Sequence, residues 1–93
     1  MKEKINKRIY NTDTSNMVGI LDDNNKRVTI YFYLSRSKTR YIYIRNPYNQ
    51  KVEIPQDDGG TLSTSIAKTI WPVEEYKLNG FWKNSLLLEV GDK

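Results

Sequence analysis

The sequence predicts an α+β fold, in which a small antiparallel sheet of four to six short strands carries a C-terminal helix packed on one face. Two observations lead to this prediction. Residues 27–45 alternate side chains with the period of a strand, and Leu78, Trp82 and Leu86 recur at helical spacing. A chain of 93 residues suffices for one domain and is too short for two, so residues 1–93 are expected to form a single domain.

The N-terminal part predicts short strands separated by polar turns. Residues 5–10 alternate weakly and are expected to form a first strand, and residues 17–21 form a second short apolar segment. Between them, residues 11–16 are all polar and predict a turn or a single helical turn. Residues 22–25 read Asp-Asp-Asn-Asn, which favours a tight turn over a calcium site because the D-x-D-x-D-G spacing is missing.

The two central segments, residues 28–34 and 41–45, are predicted to form an antiparallel hairpin. A slip of one residue would turn every side chain to the other face, so the aliphatic residues share a face only in particular registers. Pairing residues whose numbers sum to 74 places Ile30 opposite Ile44 on the inner face and Tyr31 opposite Tyr43 on the outer face. Four tyrosines then lie away from the aliphatic core, with basic residues in and beside the turn.

This tyrosine-rich face is the candidate binding site, because Tyr and Arg are enriched at the centres of protein interfaces and bases also stack on such sheets. Two structural alternatives remain open. Cross-strand tyrosine pairs can simply stiffen the sheet, or both faces can be buried with the helix over one of them. The predicted partner-binding residues are Tyr31, Tyr33, Arg36, Lys38, Arg40, Tyr41, Tyr43 and Arg45.

The second half predicts two further strands and the helix. Residues 46–49 form a turn, residues 51–54 a strand that Pro55 ends, and residues 56–65 a flexible loop. Residues 66–71 are a possible last core strand, and Pro72 is placed at the first position of the helix, with Glu74 and Glu75 at its N-terminal end. Gly80 leaves open a short helix followed by a strand at residues 86–90. Phe81 and Trp82 are expected in the core.

The composition argues against catalysis. Without cysteine or histidine, the chain lacks the usual ligands of zinc, iron and copper and the commonest general base, so no cofactor, metal or catalytic residue is predicted. Gly59-Gly60 lacks the following G-K-[ST] of a phosphate-binding loop. The longest aliphatic run, residues 86–88, is far too short to span a membrane, and the N-terminus does not resemble a signal peptide, so a cytoplasmic location is expected.

Charge is divided unequally along the chain. Residues 1–51 hold eleven Lys or Arg against four acids, whereas residues 52–93 hold four against seven. A basic half indicates a phosphate-rich or acidic partner, although lysine and arginine also solvate strand faces and protect sheet edges.

Residues 7–19 resemble the opening of a family of small phage and mobile-element proteins, whose pattern is roughly K-x-Y-D-T-x-T-A. Asn11 stands where the family has Asp, and Ser15 where it has Ala. Ile30-Tyr31 and residues 41–44 are similar to the family's aromatic hairpin, without its turn glycine. Residues 70–75 together with Trp82 are similar to its C-terminal I-x-P-L-x-x-E-E-A-x-x-W helix, and Gly59-Gly60 matches its glycine-rich segment loosely.

Members of this family are associated with anti-CRISPR proteins. The resemblance implies a phage- or mobile-element-encoded inhibitor, acting in the host cell, whose partner is a host Cas effector protein or its guide RNA or DNA. The basic first half does not suit mimicry of DNA by an acidic surface. The alternative is a nucleic-acid-binding phage regulator or single-strand binder, which the basic half and the aromatic face favour, although no helix-turn-helix signature is visible.

Overall fold

The computed structural model describes the backbone of residues 1–91 and the side chains of residues 1–86. The described chain forms eight strands and one helix: β1 (Lys2–Ile5), β2 (Arg8–Asn11), β3 (Asn16–Asp23), β4 (Val28–Leu34), β5 (Arg40–Arg45), β6 (Val52–Pro55), β7 (Thr61–Thr64), β8 (Lys68–Pro72) and α1 (Asn79–Gly91). All pairings are antiparallel, in the sheets β1-β2, β3-β4-β5-β8 and β6-β7. An antiparallel architecture with a C-terminal helix is confirmed, but there are more strands than predicted, in three sheets.

The register of the central hairpin is the one predicted from the sequence. In the β4–β5 pair, Ile30 lies opposite Ile44 and Tyr31 opposite Tyr43, and the neighbouring pairs follow the same alternation. Because successive side chains of a strand point to opposite faces, this register puts the aliphatic residues on one face and the tyrosines on the other.

The inner face of the four-stranded sheet forms the main core. Phe32 lies at its centre, with its ring centroid 5.8 Å from that of Phe81 and 5.4 Å from that of Trp82 on α1. The β6–β7 hairpin covers the rest of the face through the buried side chains of Val52 and Ile54. The prediction that Phe81 and Trp82 belong to the core is therefore confirmed.

The first predicted strand is wrong, because residues 5–10 span a turn. Asn6 and Lys7 connect β1 to β2 with φ angles of 48° and 67°. Positive φ at both central residues is the geometry of a tight two-residue hairpin whose twist matches that of its strands. The chain thus begins with a complete hairpin, which we call the N-terminal hairpin (Lys2–Asn11).

The predicted loop over residues 56–65 is also partly wrong. Residues 61–64 form β7 and pair with β6, which leaves residues 56–60 as the turn between them. The sequence of β7 contains one aliphatic residue, Leu62, among Thr and Ser. The sequence of β7 therefore lacks the clear alternation of apolar and polar residues that predicts a half-buried strand.

The helix begins later than predicted. Pro72 is the last residue of β8, the chain turns over residues 73–77, and α1 starts at Asn79. Its first N–H groups are satisfied by Asp57 from the β6–β7 turn: the N–H of Gly80 donates to Asp57 Oδ1 at 2.7 Å and that of Asn79 to Oδ2 at 3.2 Å. The backbone is helical through Gly91, so the alternative of a strand at residues 86–90 is wrong.

This remote cap makes the stability of the fold depend on pH. The N–H of Gly80, followed by the side chain and N–H of Asn79, holds the pKa of Asp57 below its ordinary value, even though partial desolvation opposes the shift. A carboxyl group with a depressed pKa in the folded state stabilises that state above its unfolded pKa and loses this contribution as pH falls through the folded value.

We therefore expect the urea midpoint of unfolding to fall as the pH is lowered from about 5 toward 3, and this fall to be smaller in Asp57→Asn. Glu53→Gln, which removes an exposed carboxylate from β6, is the matched control. A full acid-induced decrease in Asp57→Asn, equal to that of the unmodified protein, would contradict the assigned cap.

Candidate partner-binding face

The predicted binding site lies on the outer face of the four-stranded sheet, which we define as the face that carries the tyrosines of β4 and β5. The N-terminal hairpin packs over one half of this face. Tyr10 of that hairpin contacts Tyr41 edge to face, with ring centroids 5.1 Å apart, and both pack with Ile70 of β8 in a second buried cluster. Both faces of the sheet are therefore covered at least in part, as one structural alternative anticipated.

Tyr41 is not available to a partner, which contradicts its predicted role. Its side chain has an exposed fraction of 0%. Its hydroxyl donates a hydrogen bond of 2.7 Å to Ser15 Oγ, and Ser15 in turn donates to the carbonyl oxygen of Asn11 at 2.8 Å. Tyr41 thus joins the sheet to the turn that follows the N-terminal hairpin.

Arg40 is the second predicted site residue that the structure places elsewhere. It lies on the inner side of β5, where its guanidinium is 3.7 Å from Glu74 and donates to the side-chain oxygen of Asn79. The same group lies 5.8 Å from the ring centroid of Trp82, within reach of a cation–π interaction. Arg40 therefore attaches β5 to the start of the helix.

The other six predicted residues divide into two groups. Tyr31, Tyr33 and Tyr43 are half-buried on the outer face, and the rings of Tyr31 and Tyr43 stack with centroids 5.7 Å apart. Arg36, Lys38 and Arg45 are exposed. Arg45 lies at the end of β5 next to Tyr43, whereas Arg36 and Lys38 lie in the β4–β5 turn at the opposite end of the sheet. These eight residues therefore do not form one continuous site.

A larger feature was missed by the sequence analysis, namely the exposed edge strand β3. Met17 and Ile20 pair with Tyr33 and Tyr31 and so share the outer face, with exposed fractions of 49% and 42%. Leu21 lies opposite Ile30 and is exposed on the inner side of the same strand, and Val18 is exposed at its bulge. We call the group formed by Met17, Ile20, Tyr31 and Tyr43 the edge patch. In the sequence, this edge strand was indicated by the apolar run at residues 17–21. The sequence did not show that the run would lie at the edge of the sheet.

The edge strand also offers backbone groups to a partner. In the sheet order β3-β4-β5-β8, β3 has one neighbour among the described strands. Outward-facing N–H and C=O groups of such a strand can pair with another chain. A register shift between Met17 and Gly19 bulges the strand locally, a device that limits uncontrolled pairing along an edge.

Three tyrosines of this face are kept neutral near physiological pH by their burial. Burial raises the pKa of Tyr33, Tyr41 and Tyr43 above the ordinary value of tyrosine, and in Tyr41 the hydrogen bond to Ser15 opposes the effect in part. The outer face therefore presents aromatic surface and hydroxyl groups, with positive charge supplied by Arg45 and by Lys68 opposite it on β8.

Among the side chains of residues 1–86, no group of three or more acidic residues is arranged to hold a metal ion. The one helix of this part of the chain is too short to cross a membrane.

No protein-family model matches this chain, and neither a curated protein nor a solved structure matches it. The resemblance of residues 7–19 to phage and mobile-element proteins therefore stays a prediction from sequence motifs.

The bond between Tyr41 and Ser15 gives a test of how the hairpin is attached. Tyr41→Phe keeps the ring and removes the hydroxyl donor, so we expect the free energy of unfolding in urea to fall by about 0.5–1.5 kcal/mol. Tyr31→Phe is the matched control, because the Tyr31 hydroxyl forms no hydrogen bond among the described residues. Equal stabilities of the two variants would contradict the assigned role of Tyr41.

Proposed function

We propose that this protein is a non-catalytic binding module that forms a stoichiometric complex with a protein partner through the edge patch and the edge of β3. The observation that carries the proposal is the exposure of Met17 and Ile20 on the outer face of the edge strand β3, beside a stacked pair of tyrosines. Contiguous exposed apolar surface on a small protein is typical of an interaction site.

The chemistry of the patch favours a protein partner. Met and Tyr are enriched in protein interfaces, and the half-buried tyrosine rings are already held in place by their neighbours, so little conformational entropy is lost on binding. An added strand would gain backbone hydrogen bonds along β3, while the side chains of the outer face supply specificity. Arg45 and Lys68 at the margin favour an acidic region of the partner.

For the identity of the partner we rely on the sequence resemblance, and we propose a host Cas effector complex, which makes the protein an anti-CRISPR-type inhibitor. The small size and the absence of cysteine and histidine are consistent with inhibition by occupation of a surface. Of the tyrosine–arginine hairpin predicted from the sequence, Tyr31 and Tyr43 belong to the proposed site and Arg45 lies at its margin, and β3 is added to it.

Nucleic-acid binding by the same face is the second candidate, because Arg45 and Lys68 could contact phosphates while bases stack on the tyrosines. The Tyr31 and Tyr43 rings stack on each other, which leaves each of them at most one free face for a base. A single-stranded nucleic acid would therefore find fewer ring faces for base stacking on the edge patch than on four fully exposed tyrosines.

Two substitutions with matched controls test the proposal in a pull-down from lysate of a CRISPR-bearing host treated with nuclease. Ile20→Lys and Tyr31→Ala alter the patch, whereas Ile66→Lys and Tyr48→Ala make the same changes at residues that are 63% and 57% exposed elsewhere. We expect the patch variants to weaken binding of the retained Cas protein by about tenfold or more, and the controls to bind normally.

Circular dichroism and thermal melting establish that each variant remains folded. Normal Cas binding by folded Ile20→Lys and Tyr31→Ala would overturn the assigned surface. Capture that disappears on nuclease treatment would favour the second candidate.

A further inference from the structure

A basic cleft lies beyond the first residues of β3, between the N-terminal hairpin and the β4–β5 turn. Its volume is about 340 Å³. Lys2 of β1, Arg8 of β2 and Arg36 of the β4–β5 turn all line it, so three structural elements each contribute one cation. No acidic side chain lines the cleft within the described part of the chain.

The remaining polar groups of the cleft are hydrogen-bonding groups without charge. They belong to Asn11, Thr14, Ser15, Ser35 and Ser37, which line the cleft. Ser37 is linked through its hydroxyl to Ser35 at 3.0 Å and to Thr39 at 3.2 Å. A hydroxyl has one donor, and the two bonds of this chain use two of its three donors, so one O–H group remains for an anion in the cleft.

Arg8 is held in position at the edge of this hydroxyl chain. Its Nη1 donates a hydrogen bond of 2.7 Å to Thr39 Oγ1. A guanidinium has five N–H donors in a rigid planar fork, so most of them stay available to a ligand while this bond fixes the orientation of the group. None of Lys2, Arg8 and Arg36 forms an ion pair within the described residues.

We propose that this cleft binds the phosphodiester backbone of a single-stranded nucleic acid. Arg, Lys, Ser and Thr are the side chains that most often contact phosphate oxygens, and charge-assisted hydrogen bonds from Arg and Lys are the stronger ones. Three neighbouring cations repel one another, and a bound phosphate relieves that repulsion.

The distribution of charge outside the cleft favours a strand over an isolated phosphate group. Lys4 and Lys7 continue the positive surface along the N-terminal hairpin, and Lys38 continues it along the β4–β5 turn; all three are exposed. A series of cations on both sides of a concave groove can contact successive phosphates of one nucleic-acid strand, as in proteins that bind single strands without sequence preference. The cleft shares no residue with the edge patch. Nucleic-acid binding by the cleft therefore goes beyond the proposed function and can be tested independently of it.

The test is fluorescence anisotropy with labelled single-stranded DNA and RNA oligonucleotides of mixed sequence, titrated with the full chain at several salt concentrations. The three cations of the cleft contribute about −2 to the slope of log K against log salt, and Lys2→Gln/Arg36→Gln should make that slope shallower by about 1.4. The matched control Lys83→Gln/Arg27→Gln removes the same charge from positions outside the cleft and should leave the slope near that of the unmodified protein. Ile20→Lys should still bind, which separates this site from the edge patch.

Thermal melting shows whether each variant stays folded. The proposal is overturned if neither oligonucleotide binds, or if the cleft and control variants lose affinity equally. Tighter binding to a duplex, a phosphorylated peptide or anionic phospholipid vesicles than to the single strands would overturn the assignment of the ligand.

Discussion

The pairing of β4 with β5 is the constraint on which the rest of this structure depends. Its register places Ile30, Phe32, Ile42 and Ile44 on one face and four tyrosines on the other. A sheet with two apolar faces has to cover both of them, and a chain of 93 residues has little material for this purpose. The helix and the β6–β7 hairpin cover the aliphatic face, which leaves the N-terminal hairpin to cover the tyrosine face. That hairpin is short and seals only the half nearest β8.

The two proposed surfaces follow from this incomplete cover. On the side of the sheet toward β3, Met17 and Ile20 are exposed, and Tyr31 beside them is half-buried. Beside the first residues of β3, the N-terminal hairpin and the β4–β5 turn approach each other and enclose the basic cleft. The first surface is apolar and aromatic, whereas the second is cationic and polar. Together, the two proposals assign a protein partner and a nucleic acid to neighbouring positions on the molecule.

Local patterns in the sequence predicted the central hairpin and its register, because seven consecutive residues of β4 alternate without interruption. Features that depend on distant residues were not predictable in this way. The cap of α1 comes from Asp57, far from Asn79 in sequence, and the burial of Tyr41 results from a hairpin 30 residues earlier. The Asn6–Lys7 turn lacks the glycine that usually signals such geometry. The inward position of Arg40 was available from the sequence, since the alternation that located the tyrosines places residue 40 with Ile42.

The N-terminal hairpin closes one half of the tyrosine face and leaves the β3 half open. Hydroxyl-radical footprinting with mass spectrometry tests this arrangement directly, because the method reports the solvent access of individual side chains in the unmodified protein. We expect fast oxidation at Met17 and Tyr48, slower oxidation at Tyr31, and protection of Tyr10 and Tyr41 until the chain unfolds. Oxidation of Tyr10 and Tyr41 as fast as that of Tyr48 under native conditions would show that the hairpin does not cover this half of the face.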